Sequence, residues 1–150
     1  MPAAKLLQRC LISGCLAVLA SPALAEEAAT AASDEGSLRL ELNSLQPSDK
    51  GCRLTFVVTN ELGAELAKAA FEMALFNEAG VVDRLTVLDF NELPAGKTKV
   101  ARFDLAGADC GNISRVLINH ATDCVGPGME PDACQRQLRP ETKSGIAFGM

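Results

Sequence analysis

A period of two constrains this chain more than any other feature. Cys52, Leu54, Phe56 and Val58 fall on one face, with Arg53, Thr55, Val57 and Thr59 on the other. Successive side chains of a β-strand point to opposite faces, so this run predicts a strand with one face on a core. Leu38, Leu40 and Leu42 alternate with Arg39, Glu41 and Asn43, and Phe71, Met73 and Leu75 alternate with Glu72 and Ala74. Asn77-Glu78-Ala79-Gly80 supplies turn chemistry before a β-rich run from Val81 to Phe90. Leu93-Pro94-Ala95-Gly96 makes a second turn, and Lys97 to Leu105 a further strand with Phe103 and Leu105 on one face. The three runs from Ala69 to Leu105 predict an antiparallel meander. Ile113 to His120 reads as another strand and Ile146 to Phe148 as a short edge strand. Pro131 to Leu138 reads as a short helix ended by Pro140. Gln46 to Gly51 and Thr122 to Gly128 read as loops, and Ala64 to Ala70 as a loop with some helical character. About seven short strands predict an all-β domain, an immunoglobulin-like antiparallel sandwich, with a small open barrel as the alternative.

The first residues set what counts as the folded chain. Lys5 and Arg9 form a basic region before a short apolar run, and Ala23-Leu24-Ala25 has the small-x-small form of a cleavage site. We expect a signal peptide over residues 1–25, cut between Ala25 and Glu26, and a disordered leader over residues 26–37 before one domain over residues 38–150. Ile12-Ser13-Gly14-Cys15 resembles a lipoprotein processing box and offers Cys15 as the alternative anchor. The apolar run is too short to span a bilayer, so no stable membrane insertion is expected after cleavage. Cleavage removes two of the 14 basic residues and none of the 19 acidic ones, so the formal charge deepens from −5 to −7. No basic run exists, and Trp and Tyr are absent. Nucleic-acid binding therefore lacks both its attraction and its stacking platform.

Cleavage also leaves four of the six cysteines: Cys52, Cys110, Cys124 and Cys134. An even count in an exported domain reads as two disulfides, with three possible connectivities. Zinc would need closer ligand pairs than Cys124 and Cys134 provide. We expect Cys124 with Cys134, closing a small loop around Gly126-Pro127-Gly128, and Cys52 with Cys110, joining the starts of two strands.

Leu40-Glu41-Leu42-Asn43-Ser44-Leu45-Gln46-Pro47 and Gly51-Cys52-Arg53-Leu54-Thr55-Phe56-Val57-Val58-Thr59-Asn60 resemble a family of small exported bacterial proteins. The likeness continues through Phe71-Glu72-Met73-Ala74-Leu75-Phe76 and Val116-Leu117-Ile118-Asn119. Members often carry the label of a Tat pathway signal sequence domain, although this chain lacks the arginine pair of such a signal. The resemblance implies export and no activity. Asn60 at a strand end, Ala79-Gly80-Val81-Val82, Leu93-Pro94-Ala95-Gly96 and the strand of Phe103 resemble FxLYG-type sandwich modules.

Few residues suggest chemistry. Gly96-Lys97-Thr98 ends like a phosphate-binding loop, but position 91 is Asn where that pattern needs Gly, and a β-rich segment follows. His120, the only histidine, has Asp123 three residues on, the raw material of a base or a metal ligand. Ser114 and Thr122 lie near it without a nucleophile motif. Asp83, Asp89, Glu92, Asp104 and Asp109 lie near turns, and no calcium-loop string joins them. No catalytic residue, cofactor or metal is expected. Phe76, Leu88 and Phe90 do not fit one inward face with Phe71, Met73 and Leu75. They read either as part of a sheet covered on both faces or as an exposed patch for a partner. The expectation is a periplasmic or secreted, non-enzymatic module that binds a protein or envelope partner. The alternatives are a small hydrolase or metal-binding protein using His120 and nearby acids, and a small-ligand carrier.

Overall fold

The structure is a computed structural model, and it describes residues 36–150. The expected signal peptide, its Ala25–Glu26 cleavage point, Cys15 and nearly all of the leader lie outside those residues. Eight strands form a β-sandwich: β1 (Ser37–Ser48), β2 (Gly51–Glu61), β3 (Lys68–Asn77), β4 (Val82–Asp89), β5 (Thr98–Ala106), β6 (Ile113–Val125), β7 (Leu138–Thr142) and β8 (Ala147–Gly149). One sheet has the order β5-β2-β1-β7, the other β4-β3-β6-β8. Neither closes into a barrel.

The clearest alternation gives the central strand of the first sheet. Cys52, Leu54, Phe56, Val58 and Asn60 on β2 are all buried, as are Leu38, Leu40 and Leu42 on β1. The expected loop from Gln46 to Gly51 shrinks to a two-residue turn, because β1 continues to Ser48. Pro47 is tolerated there because β7 pairs with β1 only as far as Leu42, so this end of β1 is an edge. Gly51 closes the hairpin at φ 149°, and a Cβ on it would stand 2.3 Å from the Leu105 carbonyl oxygen.

The expected meander is broken between its second and third strands. β3 pairs with β4, but β5 crosses to the other sheet and pairs with β2 from Gly51↔Ala106 to Thr59↔Thr98. Its cause is the connecting segment, which buries Phe90 and Leu93 as it passes over the side of the sandwich. Leu66 and Leu93 exchange backbone hydrogen bonds at 3.0 and 2.8 Å, so the segment read as partly helical is extended instead. Asn60 ties this crossover down. It is 1% exposed, its Nδ2 donates to the carbonyls of Ala64 and Leu93 at 2.9 and 2.8 Å, and its Oδ1 accepts from Leu62 N–H at 3.0 Å. A buried amide with these partners replaces the ladder bonds that the irregular backbone cannot make.

β6 runs through His120 to Val125, past its expected end. Register shifts against β3 leave Ser114, Asn119 and Thr122 as extra residues, and these bulges blur the alternation on which the shorter reading rested. The helix expected from Pro131 to Leu138 is a single turn, α1 (Ala133–Arg136). Pro131, Asp132 and Gln137 flank it as turn residues, and Leu138 opens β7, which carries Pro140 on the sheet edge.

Both expected disulfides are present. Cys52–Cys110 has a Cα separation of 5.0 Å and joins β2 to the 3-10 turn Cys110–Asn112 that precedes β6, so it links the two sheets. Cys124–Cys134 has a Cα separation of 5.7 Å and holds α1 to β6. Among the described residues, no helix is long and apolar enough to cross a membrane.

Candidate functional surface

His120 does not meet Asp123. It lies on β6 opposite Glu72, with Nδ1 3.7 Å from Glu72 Oε1, and its side chain is 53% exposed. Asn119 Nδ2 donates to the same Glu72 oxygen at 2.6 Å. Asp123 is held instead by Lys68 Nζ at 3.2 Å. Ser114 Oγ is engaged by backbone carbonyls, donating to Asn77 O at 2.5 Å and Phe76 O at 3.2 Å. No nucleophile, base and orienting acid converge here, which is the geometry that acid–base chemistry needs.

Three of the five turn carboxylates, Asp104, Asp89 and Asp109, are separately engaged. Asp104 accepts two hydrogen bonds from Arg53, both at 3.0 Å. Asp89 accepts from Asn91 N–H at 2.8 Å and faces Lys68 at 3.8 Å. Asp109 accepts from Gly111 N–H at 2.9 Å, whereas at Glu92 it is the backbone carbonyl and not the carboxylate that accepts from Lys99 Nζ, at 3.0 Å. Among the described residues, no three His, Cys, Asp or Glu side chains gather as a metal site would require. Gly96, at φ 67°, completes a turn from Pro94 and leads into β5 rather than a helix.

Two hollows mark the surface. A cavity of about 170 Å³ lies at one end of the sandwich, bounded by Leu75, Asp83, Ala108, Asp109 and Ile113. An open depression is lined by Glu92, Pro94, Lys97, Thr98 and Lys99, where Lys99 Nζ also donates to the Phe90 carbonyl at 2.9 Å. Neither brings together groups with a shared chemical task.

The outer faces of the two sheets differ more informatively. On β5-β2-β1-β7, cross-strand partners are mostly ionic or hydroxylic: Arg53 with Asp104, Arg39 with Glu141, and Thr59 with Thr98. Val57 opposite Val100 is the apolar pair on this face. The Arg53 hydrogen bonds hold the Asp104 carboxyl below the usual carboxylate range, and hydrogen bonds from Asn43 and Lys143 do the same for Glu41. A depressed folded pKa contributes stability that is present above the unfolded carboxylate range and is lost as pH falls through the folded value. The thermal midpoint should therefore fall on acidification below ~pH 5, and Asp104→Asn should make that fall shallower. Identical acid slopes in wild type and variant would count against this assignment.

On β4-β3-β6-β8 the register sets Leu85, Ala74 and Leu117 side by side across three strands. Leu85 is 58% and its neighbour Val87 53% exposed, while the small Ala74 between Leu85 and Leu117 is buried. Phe76 borders the strip under the Arg115 guanidinium, 5.3 Å from the ring centroid, and Glu72 with His120 and Asn119 borders the other side. An apolar centre with a polar rim is the anatomy of a protein-binding patch. The alternative of one exposed patch at Phe76, Leu88 and Phe90 is thus corrected. Phe76 borders the exposed strip, but Leu88 and Phe90 are 3% and 1% exposed in the core. Leu88 lies opposite Phe71 and shares its inward face, which leaves Leu85 and Val87 pointing outward. The signal for this was the parity of Leu85 and Val87 against Leu88 and Phe90, obscured by apolar residues of both parities in one strand. Comparison of the chain with protein-family models, curated proteins and solved structures finds no match.

Proposed function

We propose that this chain is a non-enzymatic binding module of the cell envelope, with the outer face of β4-β3-β6-β8 as its contact surface for a protein partner. The apolar strip of Leu85, Ala74 and Leu117 carries the reading, because the opposite outer face is mostly covered by ion and hydroxyl pairs. Two disulfides support an oxidising, non-cytoplasmic compartment. The basic region and the Ala23-Leu24-Ala25 site support delivery to the periplasm by a cleaved signal peptide. The strand orders β5-β2-β1 and β4-β3-β6 support an immunoglobulin-like relationship, from which the parallel β6–β8 pair departs.

The test places a photo-crosslinking residue at position 85, 117 or 102 in cells that make the protein. Adducts of one defined mass are expected from positions 85 and 117, with Arg102 on the opposite face as the silent control. Leu85→Asp should abolish the adduct formed from position 117, and His120→Ala should leave it unchanged. Equal labelling from position 102, or none from positions 85 and 117, would overturn the proposal. Loss of the adduct in folded His120→Ala would move the centre of the site to that side chain.

A further inference from the structure

We infer that Cys124–Cys134 is a reducible latch: a dithiol reductant opens it by attack at Cys124, and the flap of residues 127–136 then leaves the edge of β6 while the sandwich stays folded. Exposure does not separate the two bridges. Each joins a fully buried cysteine to a half-buried one, Cys52 to Cys110 and Cys134 to Cys124. The difference lies in how the chain holds each pair once the bond is gone. Leu105 is the ladder partner of Cys52, and Gly107 N–H donates to the Lys50 carbonyl at 2.9 Å. Shortly past Cys110, Ile113 opens β6 and is 8% exposed. The chain is thus anchored on both sides of Cys110, and its thiol stays beside that of Cys52.

The backbone of the flap is anchored only at its ends. Gly126 runs so close to Glu65 that a Cβ on it would stand 2.3 Å from the Glu65 carbonyl oxygen. At the other end, the Gln137 carbonyl accepts from Leu38 N–H at 3.0 Å. Between them the main-chain hydrogen bonds are local: Met129 N–H donates to Gly126, Ala133 to Glu130, and Gln135 and Arg136 to Asp132. Among the described residues, no main-chain bond ties 127–136 to either sheet. Besides the bridge, burial of Ala133 and Cys134 and partial burial of Met129 hold it. So do Arg139 Nη1 on the Arg136 carbonyl at 3.5 Å and Cys134 N–H on Cys124 Sγ at 3.2 Å. Gln135 makes the remaining contacts: its Oε1 accepts from Ala121 N–H at 2.7 Å, and its Nε2 donates to Met150 Sδ at 3.3 Å. β8 covers β6 only from Arg115 to Leu117, so a side chain of the flap closes the strand edge at Ala121.

A bridge resists reduction to the extent that folding holds its thiols together after it opens. A thiolate of the dithiol attacks the half-buried Cys124 Sγ, the S–S bond breaks, and Cys134 leaves as a thiolate that takes up a proton. The second thiolate of the reductant then attacks its own sulfur in the mixed disulfide and releases Cys124. The dithiol ends as a disulfide, and its two electrons and two protons reside on Cys124 and Cys134. Two thiols need more room than a bonded pair. β6 is fixed by its ladder with β3, so the displacement falls on α1 and draws Gln135 off Ala121. The latch rests on the contacts of the flap and not on what the outer face of β4-β3-β6-β8 binds.

The test treats the purified, oxidised protein with dithiothreitol under native conditions, alkylates it at intervals and maps the peptides. Cys124 and Cys134 should be alkylated at least about 10-fold faster than Cys52 and Cys110. Hydrogen exchange of the selectively reduced protein should show the Ala121 amide unprotected and the amides of β2 protected as before. Gln135→Ala should speed opening of the short bridge and leave the long one unchanged, a split that general destabilisation would not produce. Glutathione adducts caught by acid quench should lie on Cys124. Reduction of both bridges together, earlier reduction of Cys52–Cys110, equal effects of Gln135→Ala on the two, or an Ala121 amide still protected after reduction would overturn the latch. Adducts on Cys134 would overturn the site of attack.

Discussion

Cys52→Ser is expected to remove about 4 kcal/mol of stability, the larger of the two disulfide effects. The Cys52–Cys110 bridge spans a sequence separation of 58, against 10 for Cys124–Cys134. On the chain-entropy model, closing loops of these lengths restricts the unfolded chain by about 4 and somewhat under 3 kcal/mol. Position also favours the longer bridge, since it joins β2 of one sheet to the turn leading into β6 of the other. Cys124–Cys134 holds a one-turn helix to β6 and leaves the contact between sheets to the core. Domains of this size have only about 5–15 kcal/mol in total, so loss of the long bridge brings the protein near its threshold. The measurement is denaturant unfolding of Cys52→Ser and Cys134→Ser, with Cys52→Ala/Cys110→Ala to exclude a stray thiol. Equal losses, or a larger loss in Cys134→Ser, would show that chain entropy does not govern this fold.

What the sequence made legible follows from where local pattern and tertiary demand agree. On β2 every second residue from Cys52 to Val58 is apolar and every one of those is buried, so alternation alone located the strand and its inward face. Cys52 belongs to that face, which made its sulfur a plausible link to another element, and the linked element was the expected one. Agreement failed where a distant contact decided the outcome. The crossover from β4 to β5 is fixed by Leu66 meeting Leu93 and by Asn60 holding both neighbouring segments, and no local period encodes those contacts. The three extra residues on β6 shift the inward parity, so no single alternation describes that strand. For the surface, one fact was missing: whether Leu88 or Leu85 faces inward. Both are leucines in one strand, and only the pairing of Leu88 with Phe71 separates core from candidate contact face.

Phe56→Ala should be the most damaging single side-chain truncation in the domain. Phe56 is fully buried on the central strand β2, and its ring meets three others at centroid distances of 5.5, 5.8 and 5.9 Å. Those neighbours come from three places: Phe90 on the crossover, Phe148 on β8 and Phe103 on β5. Phe90 extends the cluster to Phe71 on β3 at 6.0 Å and meets Phe103 at 5.1 Å. The cluster therefore spans both sheets, with Phe56 as its link between the first sheet and β8 of the second. Truncation of a buried phenylalanine removes its transfer free energy and leaves a cavity, together about 3–5 kcal/mol. Edge-to-face partners contribute up to about 1 kcal/mol each beyond buried area, which places this site at the upper end. Phe103→Ala should cost less, because Phe103 is only partly buried and lies on an edge strand that can close over the gap. Phe56→Leu retains most of the volume and should lose no more than about 1.5 kcal/mol. Urea unfolding of the oxidised protein ranks the three, and an unchanged denaturant slope shows that the midpoint shifts report stability. A Phe56→Ala loss below that of Phe103→Ala would mean that the sheets are held together elsewhere, with the Cys52–Cys110 bridge as the element that remains.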